Sequence, residues 1–143
     1  MIERYARPGM KRVWSEDGKF DKWLQIELAA CEAWAEEGVI PQDDLERLRR
    51  ATHDAVRLKE LLERTRHEMT AFLGSITEGL GPEGRWLHLG LTTSDVWDTA
   101  TSLQLVEAAT LLDDEMRRLQ EALKAKALEH RTTLMMGRTH GVH

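Results

Sequence analysis

The feature that most constrains this chain is a long apolar seam in its second half. Leu105, Ala109, Leu112, Met116, Leu119, Leu123 and Ala127 recur in steps of four and three for most of its length, the period at which an α-helix keeps one line of side chains turned toward a partner helix. The stretch opens at TTSD, Thr92 to Asp95, and reads as helix to about His130. A seam of that kind needs facing helices, and nothing after it in the chain supplies them, so other molecules or further sequence must do so. The class expected is all-α.

The first half follows the same period. Ser15 can cap a helix that carries Phe20, Trp23, Leu24, Leu28, Cys31, Trp34 and Ala35 inward and stops at Gly38. Pro41, followed by Asp43, Asp44 and Glu46, marks the first turn of a short helix to about Thr52. From Val56 to Leu80 the residues Leu58, Leu61, Leu62, Met69, Phe72, Leu73, Ile76 and Leu80 keep helical spacing, and periodicity alone makes this one helix. Gly79, Gly81, Pro82 and Gly84 end it, and GPEGRWLHLGL reads as an extended connection. No segment alternates apolar and polar residues for long. The five tryptophans read as core and interface packing.

Composition narrows the function. A net charge of -5 argues against general binding of nucleic acid, and the charged start MIERYARPGMKR lacks the apolar core of a signal peptide. No apolar run approaches the roughly 20 residues that span a bilayer. The expectation is therefore a cytoplasmic protein with no membrane partner. Cys31 is the only cysteine and lies on an apolar helical face, which reads as an inert core thiol.

Four stretches could carry chemistry, and each has a plainer reading. Arg4 beside Tyr5 suits a phosphate or carboxylate, or else an arm docked by an ordinary ion pair. His67, between Arg66 and Glu68, is a titratable group or an exposed helical histidine; the zinc-protease pattern HExxH fails because Ala71 stands where its second histidine belongs. In HLGLTTSD, His88 stands in a glycine-containing loop. Thr92, Thr93 and Ser94 stand at a helix start, where free N–H groups and hydroxyls make a carboxylate site, or Thr92 with Asp95 makes a capping box. GRTHGVH gathers Arg138, Thr139, His140 and His143 between glycines that free the backbone for positive φ. His140 and His143 at a spacing of three would bind metal from a helix, which the glycines disfavour.

Taken in order, RYARPGM, LACEAWAEEGVIP, TRHE, HLGLTTSDVWDTA and MMGRTHGVH resemble the N-terminal third of the bacterial-type adenylosuccinate lyase family, within the fumarase and aspartase superfamily. The resemblance covers essentially the whole chain. Other superfamily members share a Gly-Arg-Thr-His-like element, but the arm and the TSD stretch point to the purine branch. The resemblance implies an N-terminal helical domain over residues 1–110, followed by the start of a long central helix-bundle domain over 111–143. It implies β-elimination of fumarate from adenylosuccinate, giving AMP, and from SAICAR, giving AICAR, with no cofactor and no metal.

Position by position, the resemblance makes His140 the proton donor, with Thr139 contacting substrate beside it. It makes His67 a group that helps hold substrate and acid, with Arg66 and Glu68 in the same segment. His88 would lie near the nucleotide phosphate, Arg4 and Tyr5 would contact that phosphate, and Thr92 and Thr93 would donate to a substrate carboxylate. Glu68 stands where the family usually has Asp, and Thr93 where it usually has Ser.

The family also breaks the helix near His67, against the periodicity. Its general base is a serine on a downstream loop that has no counterpart here, and its active sites combine three subunits of a homotetramer. The expectation is an N-terminal portion of a longer enzyme, inactive alone, whose seam causes self-association or poor solubility when isolated. The alternatives are a non-enzymatic helical assembly module of the same fold and a sister lyase acting on another dicarboxylate.

Overall fold

The computed structural model describes residues 3–142, which form six α-helices, two 3₁₀ turns and no named strand. They divide into two compact units, one ending at Ala108 and the other beginning at Ala109. In the first unit a 3₁₀ turn, Glu3–Tyr5, leads to a short helix α1, Pro8–Val13, which the sequence reading does not anticipate. Proline at its first position needs no N–H partner and starts the turn.

Helix α2, Glu16–Glu36, begins as expected. Ser15 Oγ accepts the N–H of Gly18 at 2.9 Å and donates to the carbonyl of Arg12 at 2.7 Å. Gly38 closes the helix at φ +75°, in the left-handed region that suits glycine. Helix α3, Gln42–Leu48, is shorter than expected because its last turn tightens: Arg50 and Ala51 bond to carbonyls three residues back. Pro41 is its N-cap rather than its first helical residue.

The continuous helix expected from Val56 to Leu80 is two helices, α4, Ala55–Thr65, and α5, Glu68–Thr77. Arg66 takes φ 53°, ψ 22°, which ends α4, and His67 at φ -135° caps α5. The break implied by the family resemblance is therefore present, and the 3,4 spacing survives it because Met69 follows Leu62 at a step of seven. Asp54 Oδ1 caps α4 through the N–H groups of Val56 and Arg57. The two helices pack on each other, and they approach closely at Gly74, where an added Cβ would sit 3.0 Å from Leu61 Cδ1.

The connection read as extended contains a second 3₁₀ turn, Pro82–Trp86, and then turns rather than strand. Helix α6, Thr93–Glu129, follows, matching the expected span.

The core of the first unit joins these elements through Phe20, Trp23, Cys31, Leu45, Leu48, Leu58, Met69, Phe72, Ile76, Leu87 and Val96. Phe72 of α5 stacks on Phe20 at 5.6 Å and meets Trp23 edge-on at 5.3 Å. Aromatic pairs in these geometries contribute roughly 0.5–1.5 kcal/mol each beyond their buried area, so they fasten α5 to α2. Trp23 is buried in the core and Trp86 packs against it, while Trp14, Trp34 and Trp97 keep more than a third of their surface exposed.

Helix α6 buries Val96, Ala100, Gln104 and Ala108, with Gln104 Nε2 donating to the Val13 carbonyl at 2.6 Å. Lys22 and Arg12 both bond Glu107, holding its carboxyl below the usual carboxylate range. In the second unit the seam side chains Leu112, Met116, Leu119 and Leu123 are exposed.

Cys31 is buried. Burial first, then the charges of Glu27 and Glu32, push its thiol up to about 11. Because the thiolate is the reactive form, native protein at pH 8 is expected to resist a disulfide exchange reagent over minutes and to react at once in denaturant. Rapid labelling of the native thiol would place Cys31 outside the core.

Candidate functional site

The site residues of the first unit are arranged by one face of α2. Lys19, Trp23, Glu27, Cys31 and Trp34 follow one another at steps of four, four, four and three, so they form a single stripe along the helix. Lys19 Nζ donates to Glu68 Oε1 at 2.6 Å and lies over the rings of Phe20 and Trp23. It thereby pins the first residue of α5. Cys31 Sγ approaches the Trp86 carbonyl at 3.6 Å, and Trp34 Nε1 donates to the Leu89 carbonyl at 2.9 Å. These two bonds hold the loop before α6 at two points.

Between them lies Glu27, whose side chain has no exposed surface. Its Oε2 accepts the backbone N–H of His88 at 2.7 Å, and its Oε1 lies 2.6 Å from His88 Nδ1. Burying a carboxylate is costly unless donors satisfy it, and His88 supplies both. The backbone of His88 takes φ 65° to do so. Gly90, at φ +76°, approaches the indole of Trp34 so closely that a Cβ would lie 3.3 Å from it.

His67 sits at the break between α4 and α5. Its Nδ1 accepts the N–H of Thr70 at 3.2 Å, capping α5, so the ring proton of the neutral imidazole belongs on Nε2. Thr65 Oγ1 accepts the His67 N–H and donates to the His67 carbonyl. Arg66 is exposed and borders a depression of about 410 Å³ lined also by Lys59, Leu62 and Glu63. His67 and His88 share no hydrogen bond.

At the start of α6 the Thr92 N–H donates to Asp95 Oδ2 at 2.8 Å, one half of the capping box read in the sequence. Thr92 is exposed and Thr93 half-buried. Arg4 lies over the exposed ring of Tyr5, its guanidinium carbon 4.8 Å from the centroid, a cation–π contact.

Thr139 and His140 belong to the second unit and are exposed. Thr139 and Val142 exchange two backbone hydrogen bonds of 2.9 Å, with His140 at φ 51° and Gly141 at φ +80° between them. Positive φ at both central residues is the pattern of a type I′ turn. Gly141 uses its freedom to reach positive φ, and Gly137 does not. Among the described residues no cluster of three or more His, Cys, Asp or Glu could hold a metal ion. His143, the other half of the metal reading, lies outside the described residues. No helix of the described residues is long and apolar enough to cross a membrane.

Known proteins share both sequence and fold with this chain. Residues 3–143 match the family described as Lyase. The chain belongs to the lyase family. Over 144 aligned residues it is 48% identical to adenylosuccinate lyase of Bacillus subtilis (strain 168), covering all of this chain and 33% of the relative. It is 42% identical, with the same coverage, to adenylosuccinate lyase of Staphylococcus saprophyticus. The chain thus spans about a third of the length of these lyases, and in the Bacillus protein the match is its N-terminal third. Among solved structures, the fumarate lyase of Mesorhizobium sp. BNC1 superposes with a TM-score of 0.80 at 30% identity, over 94% of this chain and 33% of that one. The superfamily of the match is all-α, as expected from the periodicity.

In this lyase chain the arrangement includes residues that the sequence reading missed. Glu27 and Lys19 were absent from the candidates. The available signal for Glu27 was a carboxylate at the helical position between Trp23 and Cys31, within an otherwise apolar stripe.

Non-glycine residues reach positive φ at Arg66, His88 and His140 among the described residues, and each is a candidate site residue. A left-handed side-chain residue costs about 1–2 kcal/mol. Arg66→Gly is therefore expected to raise the thermal midpoint by about 1–2 °C in a protein of the relatives' length, measured by calorimetry. A lowered midpoint would mean that the arginine side chain itself supports the helix break.

Proposed function

We propose that this lyase chain is the N-terminal segment of an adenylosuccinate lyase. The enzyme would release fumarate from adenylosuccinate, giving AMP, and from SAICAR, giving AICAR, by β-elimination in purine biosynthesis. The observation that carries the reading is the 48% identity to the Bacillus subtilis enzyme along the whole chain. Imidazoles and hydroxyls fixed at helix ends and turns support it chemically.

In the elimination a base removes a proton from the carbon next to a substrate carboxylate, the carbon–nitrogen bond breaks, and the leaving nitrogen takes up a proton. Charge builds on the carboxylate as the first proton leaves, so preorganised donors at Thr92 and Thr93 would stabilise the transition state. His140 would deliver the proton to nitrogen, with Thr139 contacting substrate beside it. His67, whose Nδ1 is engaged by the α5 cap, would present Nε2–H to substrate, and Arg66 and Glu68 would complete that segment.

Arg4 and Tyr5 would contact the nucleotide phosphate, with His88 close to it. The general base would be a serine from sequence outside this chain. The exposed α6 seam supports a further part of the proposal, that helices of other copies in a homotetramer cover it. A cytoplasmic location goes with the same reading.

In the full-length protein, turnover of adenylosuccinate to AMP and fumarate is expected at an ordinary enzyme rate of about 1 to 1,000 per second. His140→Gln is expected to lower kcat at least about 100-fold, measured by following fumarate release. Near-normal turnover in that variant would remove His140 from the acid role. Processing of a different dicarboxylate, with none of adenylosuccinate, would replace the reading by that of a sister lyase.

A further inference from the structure

The buried Glu27 carboxylate holds its only described partner, His88, by two bonds that differ in kind. The 2.7 Å bond from the His88 N–H to Oε2 fixes the backbone, and the 2.6 Å contact between Nδ1 and Oε1 fixes the ring. Imidazole is ordinarily a stronger base than a carboxylate, so the shared proton belongs on Nδ1 and Oε1 accepts it. Nε2 has no hydrogen-bond partner among the described residues, and the His88 side chain is 22% exposed.

We propose that Glu27 is a positioning residue. It locks His88 in the Nδ1–H form and turns Nε2 outward as the nitrogen that meets the anionic end of the substrate and can gain and lose a proton there. The inference rests on the reading above that His88 lies at the substrate. The partner of one ring nitrogen decides what the other can do. A carboxylate on Nδ1 lets the ring carry a second proton on Nε2 and donate it to an anion. An amide in the same place would bond the His88 N–H through its oxygen and present N–H to Nδ1, moving the ring proton to Nε2 and opposing the doubly protonated ring.

His67 provides an internal contrast: the backbone N–H and the hydroxyl of Thr70, not a carboxylate, face its Nδ1. The two imidazoles therefore carry opposite tautomers when neutral. Cys31 and Trp34 hold the loop on either side of Glu27 through the Trp86 and Leu89 carbonyls, so an isosteric change at 27 leaves the loop two of its anchors.

The test uses the full-length protein labelled with ¹⁵N-histidine, with His88→Gln assigning the ring signals by solid-state NMR. In the unsubstituted protein the His88 Nδ1 signal is expected to be that of a protonated nitrogen and Nε2 that of an unprotonated one at a pH where the ring is neutral. Glu27→Gln is expected to exchange the two and to lower kcat/KM for adenylosuccinate at least about tenfold. On a His88→Gln background Glu27→Gln is expected to have no further kinetic effect.

A proton on Nε2 in the unsubstituted protein would overturn the proposal, and this reading needs no variant to fold. An equal loss from Glu27→Gln with and without His88 would also overturn it, by showing a purely structural effect. If His88→Gln itself leaves kinetics unchanged while the ring signals are as expected, the failure lies in placing His88 at the substrate, and the functional half of the proposal falls with that placement.

Discussion

The arrangement of the first unit turns on a carboxylate in the wrong kind of place. Glu27 lies at the centre of an apolar helical face, with Trp23 one turn before it and Cys31 one turn after, and its side chain is fully covered. An isolated charge there would be untenable, and a carboxylate that lost one of its donors would destabilise the fold by several kcal/mol. The chain meets the demand by bending the loop before α6 until one residue offers both a backbone N–H and a ring nitrogen. The left-handed backbone at His88 serves that convergence, and the bonds of Cys31 and Trp34 to the Trp86 and Leu89 carbonyls hold the loop on either side of it. A helix that looks like a packing element is therefore the template for the loop.

The same helix sets the break between α4 and α5 from its other end. Phe72 is clamped by Phe20 and Trp23, and Glu68 by Lys19, so the start of α5 is fixed against α2 rather than continuing α4. The capping duties of Arg66 and His67 then use ordinary local chemistry. A left-handed residue ends one helix, and an imidazole nitrogen accepts the N–H of the third residue of the next.

Much of this architecture is legible in the sequence because it rests on spacing. The span of α6, the Ser15 cap and the Gly38 stop are local signals, and the structure has each at its expected place. The break at Arg66 was invisible to periodicity because it preserves helical spacing on both sides and uses arginine where a glycine would have announced it; only the resemblance of the surrounding motif pointed to it. Glu27 was missed for a related reason. A single carboxylate in an apolar stripe looks like an imperfection of amphipathicity until its partner, 61 residues away, is brought to it by the fold. The His140 turn was half legible: Gly141 promised positive φ, but nothing in the spacing showed that His140 would share it.

Glycine takes positive φ at Gly38, Gly90 and Gly141, yet side-chain residues do so at Arg66, His88 and His140. Each such choice gives up about 1–2 kcal/mol that glycine would spare, in a class of molecule whose whole stability is of order 5–15 kcal/mol. Packing does not demand the side chains of Arg66 and His140, which are exposed, whereas the His88 ring is also held by Glu27. Strain retained at exposed, titratable or charged residues is the pattern of sites held ready for a ligand. It arises here at the three segments that the adenylosuccinate lyase reading assigns to substrate.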